Sequence, residues 1–513
     1  MKVLLLNPPN QFKISKTSRW PEWTKSGTLY YPFWLAYATS VLMESKHKPL
    51  LLDAIAKNLD FQMTLEKIQD FNPDMVVIES STPSVHRDAQ FADDVKKISD
   101  SKIVFAGRHV TATTEQTLKM FKSIDIVARG EYDYTILDIA NELNNGQNLK
   151  EVVGISFRKN GNIINTPIRQ LTQNLDEMPF VSKAYREFLD VRDYRYALAQ
   201  HPMLQLWSSR GCPNRCTYCD YPQVMTMHTF RMRSAKNVVD EMEYIHKNLP
   251  NVKEIFLEDD TFTIDRNRTF EICKEIQERK LKLIWSCNVR ANLDYDILKA
   301  MKEAGCRILI VGYESGNQQV LNNIKKGIAL KQAEEFTKHA QKLGLRIFGC
   351  FMIGLPGDTK GSINDTLQFA KKMHPDMVFF QQGVPFPGTE FYEWAKYVGY
   401  LKTEDYSKWF DETGRLDCLV NQPGLSGEEV KKMRENLMLR YYLDPRHIFY
   451  TLRRNLHPFE FVRVVHYAKD YLAFLMLKKL KSMQKKSVKD DTPLIHHKHE
   501  EKGPFEERLL QST

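Results

Sequence analysis

The sequence predicts an α/β protein made of two successive sheet-and-helix units and a mostly helical carboxyl-terminal region. Three observations predict it. Short β-rich apolar runs alternate with helical stretches over residues 1–150, the alternation resumes near Leu204 and runs to about Gln382, and it stops after Pro385-Phe386-Pro387-Gly388. At 513 residues the chain exceeds one ordinary core, and 42% hydrophobic with 27% charged residues is a globular composition that excludes fibrous or disordered classes.

In the first unit, strands are expected at Lys2–Asn7, Leu50–Asp53, Met75–Glu79, Ile103–Ala106 and Ile124–Ala128. Helices are expected at Leu35–Glu44, Phe61–Phe71, Ala89–Ile98, Glu115–Phe121 and Thr135–Leu143. This order resembles a flavodoxin-like (Rossmann-type) domain, whose ligands sit at the carboxyl ends of the strands. Gly154–Arg158 and Asn162–Asn165 flank Lys159-Asn160-Gly161, an Asn-Gly turn that predicts a hairpin. In the second unit, strands at Leu204–Ser208, Glu254–Leu257, Ile284–Cys287, Ile308–Val311, Phe348–Met352 and Met377–Gln381 predict a partial (β/α)6 barrel with chemistry at its carboxyl rim. The divisions are therefore 1–150 for the first domain, 151–200 for hairpin and linker, 201–385 for the barrel, 386–483 for a helical region and 484–513 for a polar tail.

No window reaches the ~18 apolar residues that cross a bilayer, and MKVLLLNPPN has too short an apolar run for a signal peptide. Eight cysteines in so long a chain, three of them in one loop, point to ligation in a reducing compartment, so a cytoplasmic protein is expected. The net charge is +9, yet residues 431–486 alone carry 14 Lys/Arg against 4 Asp/Glu. Positive charge belongs to one segment, which argues against a nucleic-acid coat. Between Phe461 and Leu480, Phe461, Val464, Val465, Ala468, Tyr471, Leu472, Leu475 and Met476 recur at helical spacing beside Arg463, Lys469, Lys478 and Lys479. Such a basic amphipathic helix suits either an anionic lipid surface or packing on the barrel.

The run Arg210-Gly211-Cys212-Pro213-Asn214-Arg215-Cys216-Thr217-Tyr218-Cys219-Asp220 follows a predicted strand and spaces its cysteines as CxxxCxxC. Soft thiolates select iron–sulfur clusters or zinc, and three of them cap three irons of a cubane while leaving one iron open. Structural zinc takes a fourth protein ligand, and no Cys or His follows at a zinc-ribbon spacing. Cys273, Cys287, Cys306, Cys350 and Cys418 show no ligand spacing and are expected in the core.

This loop, with Tyr218 before its last cysteine at the end of a barrel's first strand, resembles the radical S-adenosylmethionine superfamily. The resemblance implies a 4Fe-4S cluster on Cys212, Cys216 and Cys219 whose open iron binds S-adenosylmethionine. It also implies reductive cleavage to a 5′-deoxyadenosyl radical, with electrons from a ferredoxin or flavodoxin. By the same resemblance Tyr218, Glu258, Asp259, Ser286, Asn288, Arg290, Glu314 and Gly354 contact S-adenosylmethionine. Glu258 or Asp259 would face the ammonium group, Ser286, Asn288 and Arg290 the ribose and carboxylate, and Gly354 the adenine.

A flavodoxin-like domain ahead of such a barrel resembles the cobalamin-binding members of the superfamily. Asn7-Pro8-Pro9, Asp53, Ser80-Ser81-Thr82-Pro83, Gly107-Arg108-His109 and Arg129-Gly130-Glu131 occupy the strand ends. The resemblance implies cobalamin contacts at Asn7, Pro8, Asp53, Ser80, Ser81, Gly107, His109, Gly130 and Glu131. Ile55 stands where histidine-ligating domains carry His, so cobalamin would be bound without a protein histidine on cobalt. Trp285–Cys287 with Asn288, Val311-Gly312-Tyr313-Glu314-Ser315-Gly316-Asn317-Gln318-Gln319 and Lys325-Lys326-Gly327 resemble a narrower group associated with hopanoid and other polycyclic or isoprenoid lipid biosynthesis. That likeness implies methylation or ring and bond formation on a lipid or isoprenoid precursor, beside an aromatic wall of Trp207, Trp285, Phe379 and Phe380. The rivals are a tRNA methylthiotransferase or natural-product methyltransferase, and a non-enzymatic cobalamin or redox sensor. No cysteine precedes Cys212, whereas methylthiotransferases carry a second, amino-terminal cysteine set.

Overall fold

The structure, a computed structural model, describes residues 1–23, 27–146, 148–196 and 198–454. The basic stretch at 461–480 and the histidines at 496, 497 and 499 lie outside the described residues. Met1–Asp444 form one compact unit, and the helix Pro445–Arg454 falls in a second.

The first sheet comprises β1 (Lys2–Asn7), β2 (Lys48–Asp53), β3 (Met75–Glu79), β4 (Lys102–Ala106), β5 (Ile126–Ala128), β6 (Ile155–Lys159) and β7 (Asn162–Asn165), in the order β2-β1-β3-β4-β5-β6-β7. The first five strands are parallel and reproduce the flavodoxin-like order. Asn160 (φ 50°) and Gly161 (φ 81°) form the expected turn, where positive φ at both positions favours Asn-Gly. β6 then pairs antiparallel with β5, so the hairpin extends the first sheet instead of standing in a linker.

Strand alternation separates two faces. Leu4, Leu6, Val76, Ile78, Ile103 and Phe105 pack beneath the helices Phe61–Phe71 and Val85–Ile98. Val3, Leu5, Met75, Val77 and Val104 point the other way, into a core shared with the barrel. The helix Phe33–Met43 lies in that shared core, which explains why Phe33 to Leu42 are all buried and no polar stripe is visible in its sequence.

The second unit contains β8 (Met203–Leu206), β9 (Ser209–Arg210), β10 (Arg231–Met232), β11 (Glu254–Leu257), β12 (Trp285–Arg290), β13 (Cys306–Glu314), β14 (Arg346–Ile353) and β15 (Met377–Gln382). Six of these form an open parallel sheet in the order β15-β14-β13-β12-β11-β8, while β9 and β10 make a small antiparallel pair beside the cysteine loop. This is the expected partial (β/α)6 barrel. The following region is less helical than expected. Between the helices Glu390–Tyr397 and Gly427–Tyr442, the chain is held by isolated bridges such as Leu401 to Val420 and by the Leu416 amide, which donates to Glu22 at 3.1 Å.

Candidate active site

Gly211 opens the cysteine loop at φ 81°, and a Cβ there would meet the Thr229 carbonyl at 2.0 Å, so the tight passage from β9 requires glycine. The loop is pinned from within by Gln223, whose Nε2 lies 3.2 Å from the Cys216 carbonyl, 3.2 Å from that of Thr217 and 2.9 Å from that of Cys219. From outside, the Thr217 amide donates to the Ile324 carbonyl, and the Phe391 amide donates to the Thr217 carbonyl. Nothing in the loop's spacing announced Gln223; its role appears only once the chain turns back on itself.

Cys212 and Cys216 are buried and Cys219 is half-buried. Asn214 Nδ2 donates to Cys212 Sγ at 3.1 Å, and Arg290 Nη1 lies 3.8 Å from Cys216 Sγ. Burial, reinforced by the neighbouring Asp260, pushes the Cys219 thiol up. N–H donors and a guanidinium beside three soft sulfurs suit an anionic thiolate-held cluster. Among the described residues no three His, Cys, Asp or Glu side chains converge on a single metal ion.

The barrel strands present acids and bases around this loop. Ser286, Asn288 and Arg290 share the inner face of β12, while Trp285, Cys287 and Val289 face the helices. Ser286 lies four residues below Arg290, or about 13 Å down the strand, and its buried Oγ has no partner. It is therefore a group of the barrel interior, below the rim where Arg290 meets Cys216. Asn288 donates to the Asp259 carbonyl at 3.0 Å.

Asp259 differs from expectation. Its carboxylate accepts from the Ser208 amide (2.7 Å), Ser208 Oγ (2.5 Å) and Ser209 Oγ (2.6 Å), which fixes the first strand to the second and keeps the residue fully buried. The acids at the rim are Glu258 and Asp260, both paired with Arg19, at 2.7 and 2.8 Å. Burial pushes the Glu258 carboxyl up to about 7 against the pull of Arg19. Glu314 ends β13 at φ 64° and pairs with buried Lys326 at 2.7 Å, and the pair packs against Gly312, whose missing side chain leaves room for the Glu314 carboxylate. Tyr218 is buried beside Glu314, which together with desolvation raises its phenol. Gly354 (φ 77°) closely approaches Val430 of the protein itself, and Gln422 binds its carbonyl.

On the first sheet the strand-end residues are largely engaged with one another. Asn7 Nδ2 donates to Asp53 at 2.9 Å, and Asp53 also accepts from the Tyr194 hydroxyl at 3.1 Å, with burial raising its carboxyl to about 6. Pro8 is buried beside them. Ser80 donates to Asp88, which pairs with Lys16, and Ser81 bonds Ser84. Gly107 (φ 107°) lets the turn pass within 2.9 Å of the Ser80 carbonyl, measured from an added Cβ. His109 is buried between Thr82 (3.2 Å) and Thr113 (3.3 Å), and desolvation lowers it to about 3, so it is a neutral, fully bonded imidazole. Ile55 is buried. Gly130 and Glu131 border a cavity of about 150 Å³. That is smaller than the ~300–1,000 Å³ of ordinary ligand sites, enough for one arm of a corrinoid.

Buried polar atoms without partners on this side include Glu79 Oε2 at the end of β3, Asn7 Oδ1 at the end of β1, the Tyr132 hydroxyl and Trp34 Nε1. Burial raises the Glu79 carboxyl to about 8. A macrocycle fringed with carboxamides supplies both donors and acceptors for such groups, so the chemistry of this rim fits cobalamin; of these residues the sequence reading named Asn7 and missed Glu79, Tyr132 and Trp34.

The two halves meet across a narrow slot lined by Trp34, Trp207, Tyr221, Arg19, Arg210, Glu258 and Asp260. Arg210 stands over Trp207 at 4.5 Å and over Trp34 at 4.9 Å while donating to Asp133 at 2.6 and 3.0 Å. Arg231 holds Glu131 at 2.9 and 2.5 Å, and Arg108 reaches Asp220 at 2.7 Å. Glu131 is thus a buried link between the halves. Of the expected aromatic wall, Trp207 lines the slot, whereas Trp285 and Phe380 are in the core and Phe379 sits beneath Arg434. Cys273, Cys287, Cys306 and Cys418 are buried, as expected, and Cys350 is half-buried.

Comparison with known proteins follows the same two halves. Residues 208–370 match the Radical SAM superfamily model and residues 23–140 the B12 binding domain model. An uncharacterized methyltransferase of Pyrococcus horikoshii is 32% identical over 87% of this chain and 93% of its own. An anaerobic magnesium-protoporphyrin IX monomethyl ester cyclase of Rubrivivax gelatinosus is 26% identical over 77% and 70%, and the hopanoid C-3 methylase of Methylococcus capsulatus 25% identical over 78% and 75%. Among solved structures, the radical S-adenosylmethionine methyltransferase TsrM of Kitasatospora setae, with cobalamin and a [4Fe-4S] cluster bound, superposes with a TM-score of 0.67 at 16% identity, over 87% of this chain and 89% of that one, a likeness of fold.

Proposed function

Because the chain belongs to the radical S-adenosylmethionine enzymes that carry an amino-terminal B12-binding domain, we propose that it methylates an unactivated carbon of an apolar lipid or isoprenoid precursor. The observation that carries this reading is the slot, which brings Trp34, Trp207 and Tyr221 together with Arg19, Glu258 and Asp260 beside the cysteine loop. When bound, the cluster with S-adenosylmethionine supplies one-electron chemistry and cobalamin supplies a transferable methyl group.

This chain's own residues do the positioning. Cys212, Cys216 and Cys219 hold the cluster, with Asn214 and Arg290 donating toward its sulfurs. Glu258 and Asp260 are the acceptors for an ammonium group, and Tyr218, Asn288 and Glu314 border the same rim. Trp34 Nε1 and Glu79 Oε2, with the loops at Gly107 and Gly130, are the groups that would hold the corrinoid when it is bound. The aromatic residues of the slot exclude water from the reacting carbon. The hopanoid C-3 methylase among the relatives supports a lipid substrate here. The cyclase relative favours a second reading, ring or bond formation at the same position.

Anaerobic incubation of reconstituted protein with S-adenosylmethionine, a ferredoxin- or flavodoxin-type reductant and extracted lipids tests this. Mass spectrometry is expected to show 5′-deoxyadenosine, S-adenosylhomocysteine and a lipid one methylene heavier. S-adenosylmethionine consumption with no lipid change in any extract would refute the substrate class. The reading includes a cytoplasmic enzyme that touches the membrane through residues 461–480; among the described residues no helix is long and apolar enough to cross one. Deleting residues past Phe461 is expected to weaken sedimentation with anionic vesicles while leaving the cluster intact, and unchanged sedimentation would exclude the contact.

A further inference from the structure

Arg19 lies in the long irregular connection between β1 and the helix Phe33–Met43, yet its guanidinium donates to the barrel. Nη1 bonds Glu258 Oε1 at 2.7 Å and Nη2 bonds Asp260 Oδ1 at 2.8 Å. These acids are 4% and 13% exposed and Arg19 is 24% exposed, so the cation lies on the outer, slot-facing side of the pair. Apart from Arg19, Glu258 accepts only a 3.3 Å bond from Gln205, and Asp259 is consumed by Ser208 and Ser209. Among the described residues the rim acids therefore have one cation between them, and it arrives from the other half of the molecule.

An incoming ammonium group needs these same acceptors. Two cations cannot both take the full set of acid oxygens at hydrogen-bond distance without strong mutual repulsion. The strap that carries Arg19 is anchored independently of it: Lys16 pairs with Asp88, the Tyr221 hydroxyl donates to the Thr17 carbonyl, and Arg108 binds the Ser18 carbonyl at 2.6 Å. The side chain can therefore leave while its backbone stays.

Resting on the S-adenosylmethionine reading above, we propose that Arg19 is a tethered stand-in for the ligand's ammonium group. It covers Glu258 and Asp260 when the site is empty and yields them when the aminoacyl end of S-adenosylmethionine enters. Arg19 is thus a positioning residue that sets the affinity of the site for amino-acid-bearing adenosyl ligands.

The test compares two ligands on cluster-reconstituted full-length protein by anaerobic equilibrium dialysis. S-adenosylhomocysteine carries the ammonium and carboxylate; 5′-methylthioadenosine carries neither. Arg19→Gln is expected to tighten S-adenosylhomocysteine by about tenfold, the worth of one charge-assisted hydrogen bond no longer competed for, and to leave 5′-methylthioadenosine unchanged. Arg19→Lys, which keeps the competing charge, is expected to restore wild-type affinity. Unchanged or weakened S-adenosylhomocysteine binding in Arg19→Gln, or parallel changes with both ligands, would overturn the proposal. A measurement on the wild type guards against a variant that misfolds: modification of Arg19 by phenylglyoxal, followed by peptide mass spectrometry, is expected to rise when S-adenosylhomocysteine saturates the protein, and protection would overturn the displacement. Failure of the wild type to bind S-adenosylhomocysteine at all would strike the cofactor reading, and this inference with it.

Discussion

Substituting Gly211 by alanine separates backbone strain from steric collision in the cysteine loop. Gly211 has φ 81°, and so has Gly161 in the β6–β7 turn. Leaving glycine in this left-handed region costs roughly 1–2 kcal/mol by itself. At Gly161 nothing lies within 4 Å of the added Cβ, whereas at Gly211 the Thr229 carbonyl oxygen is 2.0 Å away and Thr226 Oγ1 3.0 Å away. Real Cβ contacts stay beyond 3.0 Å, so the 226–229 turn or the loop itself must shift by about an ångström, a displacement that costs active sites on the order of a hundredfold. Gly161→Ala is expected to lower the melting temperature slightly and to reconstitute with wild-type iron. Gly211→Ala is expected to fall well below it in iron per chain and in charge-transfer absorbance, and to melt lower than Gly161→Ala. A Gly211→Ala protein with full iron and a melting temperature equal to that of Gly161→Ala would refute the argument that this contact sets the loop.

Three further outcomes are expected. Cys216→Ala abolishes the charge-transfer absorbance of the reconstituted protein; full iron content and activity would contradict its role as a ligand. Glu79→Gln changes the pH dependence of stability: burial raises this carboxyl from 4.5 to about 8, so the folded chain holds the proton more tightly than the unfolded chain, a stabilisation complete below about pH 4.5 and lost as pH rises toward 8. The variant, neutral throughout, is expected to match the wild type near the lower limit and to melt higher at pH 8, and identical curves would refute the assignment. Lys326→Met leaves Glu314 buried without its cation, a loss of about 3–5 kcal/mol, and adding Glu314→Gln is expected to recover most of the thermal stability; a double variant no better than the single one would show that the pair is not the cause.

The strands were legible because parallel strands covered on both faces read as uninterrupted apolar runs; Met75–Glu79 and Glu254–Leu257 fall where expected. The cysteine loop was legible because its ligands are close in sequence. What escaped depends on contacts across long separations. Arg19 meets Glu258 over 239 residues, Arg108 meets Asp220 over 112, and Arg210 meets Asp133 over 77. No local period carries such pairings. Asp259 looked like a ligand group because its position at a strand end is visible in sequence while the two serines that claim it are not. Trp285 and Phe380 looked like wall residues because composition does not say which side of a strand a ring takes; on β12, alternation from the inward-facing Arg290 puts Trp285 on the helix side. The antiparallel attachment of the hairpin to β5 was hidden for the same reason as the ion pairs: the turn fixes the pairing of β6 with β7, but nothing in it names the next neighbour.

The bidentate grip of Arg231 on Glu131 bears on how the molecule is assembled and how freely its halves are exchanged. During synthesis the acid emerges 100 residues ahead of its arginine, so the early-made sheet waits with a carboxylate in water and is completed only when β10 has been translated. For the same reason a corrinoid-carrying half borrowed from another member of the family would bring its own charges to this boundary, and a working chimaera would have to exchange the arginines along with the acids they answer.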